Sequence, residues 1–287
     1  MPRFDPQPDR RPTVITGASS GIGAETARVL ARGGHPVVLG ARRVEVCEEI
    51  ASEISGGGGE AVAFHLDLAD AGSIGRFAKE AKEAFGPVEV LVSNAAKIQP
   101  GAGLETEPED FEEVLRVNVG AAQRLVRAFG TGMVERRRGD LVFVTSDVVA
   151  RPRPRMSAYV ASKWGLEGFV TALQMELEGT GVRAVMVRPG PTLTGMGMDW
   201  DAEVTEEVLA EWTRWGLARH SAFLRPEGVA LAIAHAVAAP RGTHLSIVEV
   251  QPEAPLRDGL QGTTGMTGTT GTTRATGTTR AAGGERA

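Results

Sequence analysis

Apolar residues in this chain fall into two alternating patterns. Short β-branched runs occupy Thr13 to Thr16, Pro36 to Gly40, Ala61 to Leu66, Val88 to Val92, Leu141 to Thr145, Val182 to Val187 and Leu245 to Val250. Their length and composition predict strands. Between them, apolar positions recur at helical spacing. One such stretch follows the glycine-rich Gly17–Gly23 and stops at Gly33-Gly34, a natural C-cap. Others run from Arg43 through Ile54, from Ser73 to Phe85, from Pro108 into the 130s, from Ser157 to Glu178 and from Pro226 to Ala238. Strands alternating with helices at this pitch predict an α/β fold. It is a doubly wound parallel sheet of about seven strands with helices on both faces, in a single domain.

Three segments stand outside that rhythm. Residues 1–12 form a Pro/Arg-rich arm expected to be flexible, which places the domain at 13–257. The interval 191–225 holds Met196, Met198, Trp200, Trp212 and Trp215, with a helix predicted from about Asp201 to Leu217, and reads as a substrate lid. Residues 258–287 are a Gly/Thr/Ala tract with too little apolar content to offset ordering entropy, so disorder is expected there.

Composition narrows the class. A chain of 287 residues that is 42% hydrophobic can bury a sizeable core, and a formal net charge of −5 argues against nucleic-acid binding. The arginine runs at 136–138 and at 151, 153 and 155 read as solvated surface. A single cysteine, Cys47, allows no intrachain disulfide and suggests a reducing compartment. No secretory h-region and no membrane-length apolar stretch is found, so a soluble cytoplasmic protein is expected. The five histidines show no ligand spacing, and no metal site is predicted.

The chemistry gathers at the ends of the predicted strands. Gly17 follows the first, Arg42 the second, Asp67 the third, Asn94 the fourth, Ser146 the fifth and Pro189-Gly190 the sixth. In open α/β sheets, ligands bind outside the carboxyl ends of the strands, so this Rossmann-like edge reads as a dinucleotide site. Gly17 suits the tight turn, Gly21 the approach to a pyrophosphate and Gly23 close helix–strand packing, with the helix N-terminus favouring an anion. Ala41-Arg42-Arg43, with no carboxylate before Glu45, favours NADP over NAD. The same arginines could instead be solvated residues at a helix start.

Tyr159 and Lys163 are four residues apart, which puts phenol and ammonium on one helix face. That predicts a phenol ionising below its usual range of about 10. Alone, the spacing favours an exposed Tyr and Lys on an ordinary amphipathic helix.

Taken together, Thr16-Gly17-x-x-x-Gly21-x-Gly23, Asn94-Ala95, Ser146 and Tyr159-x-x-x-Lys163 resemble the short-chain dehydrogenase/reductase family, over about Thr13 to Val250. The resemblance implies that Tyr159 is the general acid/base and that Ser146 holds the substrate oxygen. It implies that Lys163 binds the nicotinamide ribose and lowers the Tyr159 pKa, and that Asn118 holds a water in the proton relay. Cofactor contacts are implied for Gly17, Ser19, Ser20, Gly21, Ile22, Gly23, Arg42 and Arg43. Further contacts are implied for Asp67, Leu68, Asn94, Ala95, Tyr159, Lys163, Pro189, Gly190, Thr192 and Thr194. Two departures from the family pattern are Ala96, where glycine is usual, and Gln251-Pro252-Glu253 after the last strand.

The function expected is NADP(H)-dependent hydride transfer between nicotinamide and a hydrophobic carbonyl or alcohol substrate, with Tyr159 as general acid/base. The tryptophans and methionines of 191–225 fit either a hydrophobic substrate or simple packing of the lid. A binding module that senses a dinucleotide without turnover is the alternative. The helices 108–137 and 157–178 resemble those that build homodimers and homotetramers in the family.

Overall fold

The computed structural model describes residues 6–195, 200–217 and 222–256. Among them, seven strands are formed: β1 (Thr13–Thr16), β2 (Val37–Ala41), β3 (Ala61–His65), β4 (Val90–Ser93), β5 (Gly139–Val144), β6 (Val182–Pro189) and β7 (Ile247–Val250). All pair in parallel, in the order β3-β2-β1-β4-β5-β6-β7. The strand order reverses between β1 and β4, and that switch point opens a crevice at their carboxyl ends.

The helices are α1 (Gly21–Arg32), α2 (Val44–Gly56), α3 (Ala71–Phe85), α4 (Pro108–Leu115), α5 (Ala121–Glu135), α6 (Ser157–Glu176), α7 (Ala202–Arg214) and α8 (Pro226–Ala238). Strand residues alternate between two apolar layers, as a period of two demands. Val14, Leu141 and Phe143 face the layer built with α3, α5 and α6, whereas Ile15, Val142 and Val144 face that of α1, α2 and α8.

Some element boundaries differ from the sequence pattern for local reasons. α3 starts at Ala71 because the Asp70 carboxylate accepts from the Gly72 N–H at 2.7 Å. α7 stops at Arg214, ahead of the expected Leu217, because Gly216 turns left-handed at φ 64°. The continuous helix expected from Pro108 is in fact α4, a π-helical turn over Arg116–Gly120, and α5. The wide turn carries Asn118, which is buried and spends its amide on other elements of the site.

Residues at the end of the expected N-terminal arm are held in place. Arg11 is buried and donates to Asp140 Oδ2 at 2.7 Å and to the Val237 carbonyl at 3.0 Å. Asp140 also accepts from Arg183, at 2.6 Å and 2.9 Å, and Arg183 reaches the carbonyls of Ala239 and Thr243. Glu89 joins through Arg11 and Arg138. This cluster ties together the amino ends of the central strands, opposite the crevice.

The described residues up to Ala254 form one compact unit, and Pro255 and Leu256 fall outside it. The disorder expected for 258–287, and Met196 and Met198 of the expected lid, lie outside the described residues. Among the described residues, no helix is long and apolar enough to cross a membrane.

Candidate active site

The crevice is built first by the turn between β1 and α1. Gly17 and Gly21 adopt φ values of 68° and 55°, open to glycine at little cost. A Cβ on Gly23 would lie 2.3 Å from the Gly17 carbonyl oxygen, so this turn closes only with hydrogen there. Asn94, at the end of β4, locks it from beneath: its Nδ2 donates to the Thr16 carbonyl at 2.9 Å. The Thr16 hydroxyl accepts from the N–H groups of Asn94 and Ala95. A Cβ on Gly21 would touch the Thr194 methyl at 3.0 Å, so the loop after β6 lies against the same turn. That loop is shaped by Gly190, whose N–H donates to Val250, and by Thr192, whose hydroxyl donates to the Gly190 carbonyl.

The start of α1 suits an anion. Ser20 at its N-cap makes no side-chain capping bond, and the first turn holds no carboxylate. Its oriented N–H groups and dipole are therefore left to a phosphate. Arg43 donates to Ser19 Oγ at 3.2 Å and Ser20 Oγ at 3.4 Å, which puts a guanidinium at the rim of the turn, while Arg42 is exposed. Ile22 is half-buried at the second position of α1. Leu68 is buried, and Asp67 closes a turn of its own by accepting from the Ala69 N–H at 2.9 Å. These residues fit the dinucleotide expected from the sequence.

Beyond β5 the chain makes a single 3₁₀ turn, Asp147–Val149, capped by the Ser146 hydroxyl. Ser146, Tyr159 and Lys163 are all buried here. Lys163 Nζ sits 5.5 Å from the centre of the Tyr159 ring and donates to the Val144 carbonyl at 2.9 Å. Asn118 accepts from the Lys97 N–H at 2.7 Å and donates to Ser162 Oγ at 2.9 Å. Ser162 in turn donates to the Tyr159 carbonyl at 2.7 Å, so the amide steadies the first turn of α6.

Electrostatics here correct one expectation. The Tyr159 phenol is not lowered; burial pushes it up to about 12, against the pull of its hydrogen bond to Ser146. Asp147 adds to the rise and Arg153 opposes it. Burial also pushes the Lys163 ammonium down to about 8, with Glu167 one turn further along acting in the other direction. Glu167 is itself held by Arg188, at 2.7 Å and 3.0 Å.

A second correction concerns the arginines at 153 and 155, read from sequence as solvated. Both NH groups of Arg153 bond the Asp147 carboxylate at 2.8 Å, and Arg155 pairs with Glu207 at 2.9 Å. Sequence reading also passed over Asp147 and Glu167. Asp147 follows Ser146 directly, and Glu167 lies four residues beyond Lys163; those adjacencies were the available signal. Of the tryptophans in the interval 191–225, Trp200 and Trp212 pack with Ile98 and Val160 against Val148, Met156 and Tyr159, whereas Trp215 is exposed. Among the described residues, no three His, Cys, Asp or Glu side chains are grouped to hold a metal.

Comparison with known proteins fits this arrangement. A glycine betaine reductase of Emericella nidulans is 33% identical over 83% of this chain, which spans 18% of that protein. A short chain dehydrogenase of Pseudocercospora fijiensis is 34% identical over 70% of this chain and 65% of its own length. The chain thus spans less than two thirds of either curated relative. Among solved structures, an alcohol dehydrogenase of Thermococcus sibiricus complexed with 5-hydroxy-NADP superposes with a TM-score of 0.73 at 31% identity, over 86% of this chain and 100% of that one. The family model described as short chain dehydrogenase matches residues 11–205. With that match over most of its length, the chain belongs to the short-chain dehydrogenase/reductase family of oxidoreductases.

Proposed function

We propose that this chain is an NADP(H)-dependent oxidoreductase that interconverts a carbonyl compound and its alcohol, with apolar groups flanking the reacting carbon. The observation that carries the reading is the buried Tyr159 phenol, held with Ser146 and Lys163 at the sheet edge that also bears the glycine turn. When bound, the nicotinamide supplies or accepts the hydride at the carbonyl carbon. Ser146 then holds the substrate oxygen, and Tyr159 gives its proton to that oxygen as negative charge develops there. A phenol at about 12 keeps its proton at neutral pH and so enters the reduction as the acid. In the oxidative direction the same phenol must give up that proton, and the Lys163 ammonium eases this by favouring the phenolate. Ile98, Val148, Met156, Trp200 and Trp212 around the phenol support an apolar substrate.

The test is a panel of ketones, aldehydes and alcohols, followed through NADPH and NADH absorbance. Turnover with at least one carbonyl is expected. Tight dinucleotide binding with no turnover across the panel would point to the sensing module instead.

The position of Arg43 beside Ser19 and Ser20 supports NADP(H). Charge-assisted hydrogen bonds of about 1.5–3 kcal/mol to a 2′-phosphate correspond to roughly tenfold or more in affinity. R43A should therefore weaken NADPH binding by about that factor while changing NADH binding little, as calorimetry would measure. Equal losses for both cofactors would count against the preference.

A pH dependence follows from Lys163. Its ammonium is present below about pH 8 and lost as pH rises through that value. If it holds the nicotinamide ribose, dinucleotide affinity of the free chain should decline above pH 8, by up to about tenfold per unit. K163M should bind more weakly and lose that limb. A limb that persists in K163M would assign it to another group.

A further inference from the structure

The loop between the Asp147–Val149 turn and α6 joins two parts of the site. Arg153 NH1 and NH2 donate to the two Asp147 carboxylate oxygens, both at 2.8 Å, with 8% and 5% of the side chains exposed. Asp147 follows Ser146, and its charge acts on the Tyr159 phenol. The same guanidinium lies 5.3 Å from the centre of the Trp212 ring on α7. Trp212 donates from Nε1 to the Pro154 carbonyl at 3.2 Å and packs into the cluster around Tyr159. Arg155, held at φ 57°, adds ion pairs to Glu207 and Glu211 of α7.

Only arginine does all of this at once. Its planar fork meets a carboxylate through two bonds while its face stacks on an indole, and its charge persists at any accessible pH. We propose that Arg153 is a positioning residue that couples the seating of α7 to the proton donor, by closing Asp147 into an ion pair beside Tyr159 and stacking on Trp212. The role as positioner of a proton donor rests on the function proposed above.

Asp147 and Arg153 are the charges that act on the phenol, and those of the neighbouring elements have partners of their own. Lys163 faces the phenol from α6. Glu207 and Glu211 of α7 are taken up by Arg155, and Glu113 of α4 by Lys97. Asp147 is therefore the anion whose neutralisation depends on Arg153. Without that guanidinium, a bare carboxylate opposes the phenolate.

Tyr159 is the chain's single tyrosine, so phenolate absorbance after a rapid pH jump titrates this one group. No substrate or cofactor is needed. D147N should lower the ionisation midpoint by about one unit. R153M should raise it, leaving no phenolate where the parent is half-ionised. The double variant D147N/R153M, which buries no charge, should return to the parent midpoint or below. In parallel, hydrogen exchange of the α7 amides should quicken about tenfold in R153M and W212L, with α8 unchanged.

Midpoints that coincide in D147N and the parent would overturn the electrostatic half, and unchanged α7 exchange the coupling to α7. An unfolded R153M is recognised by ionisation near pH 10, that of a free phenol. D147N, W212L and the double variant then decide the matter. A chain that turned over nothing in the carbonyl panel would still return these readouts, so failure of the oxidoreductase reading and failure of the Arg153 coupling are separable.

Discussion

Turnover in Y159F is expected to fall by about a thousandfold or more, with dinucleotide affinity within about twofold of the parent. The size follows from the role. A positioned general acid or base contributes typically 10²–10⁴ in rate, and a factor of 10³ is about 4 kcal/mol of barrier. The phenol's replacement leaves its ring packed among Val148, Met156 and Trp212, so the pocket keeps its shape. Ser146 keeps the Val148 N–H as a partner, and Lys163 keeps the Val144 carbonyl. Loss confined to kcat, with unchanged binding by titration, is the outcome that fits proton transfer. Activity within tenfold of the parent would remove Tyr159 from the chemistry altogether.

The largest expected effect on stability lies at the other end of the sheet. D140A should destabilise the fold by about 3–5 kcal/mol, read as a lower urea midpoint with an unchanged slope. The cost comes from what is left behind. Arg11 and Arg183 are almost fully buried; Arg183 would lose its carboxylate while staying charged, and Arg11 would keep only the longer carboxylate contact, to Glu89 at 3.5 Å. By contrast, the Arg10–Glu60 pair is half-exposed, and its removal should cost about 0–1 kcal/mol. Replacing Asp140 and Arg183 together by apolar residues of similar volume should cost less than D140A alone, because no charge is stranded. Asp140 lies at the start of β5 and Ser146 just beyond its end, about 20 Å away along extended chain. D140A should therefore leave dinucleotide affinity unchanged under folding conditions.

The sheet was legible from sequence because its short β-branched runs, fully buried in the central strands, and its amphipathic helices carry different periodicities. Every strand expected between Thr13 and Val250 is present, and α8 has its expected bounds of Pro226 and Ala238. The glycine turn was legible because its geometry admits few residue types. Gly23 is the clearest case, since its hydrogen faces a carbonyl oxygen. Long-range charge placement was not legible. Nothing in the order of residues says that Arg11 meets Asp140, or that Arg153 meets Asp147 and Trp212 across the loop. Nor could spacing alone reveal the sign of the Tyr159 shift. The helix face brings Lys163 near, but burial of the phenol outweighs its hydrogen bond to Ser146 and the charge of Arg153.

The π turn at 116–120 leaves a trace in the chain that reads as a change of phase. From Val114 one buried stripe runs through Asn118, Ala122, Leu125, Phe129 and Met133, at spacings of four, four, three, four and four, with Ala121 and Gly130 buried beside it. Five turns of ordinary helix take about 18 residues, and this stripe takes one more. The wide turn acts as a one-residue insertion that the core has absorbed. It gives α4 and α5 separate rotational settings, one against α6 and one against the sheet, and it delivers an amide to the site at the join. A single-residue deletion in this segment would be a frameshift in three dimensions: the amide and every apolar residue on one side of it would turn by about 100°, away from the partners they now meet.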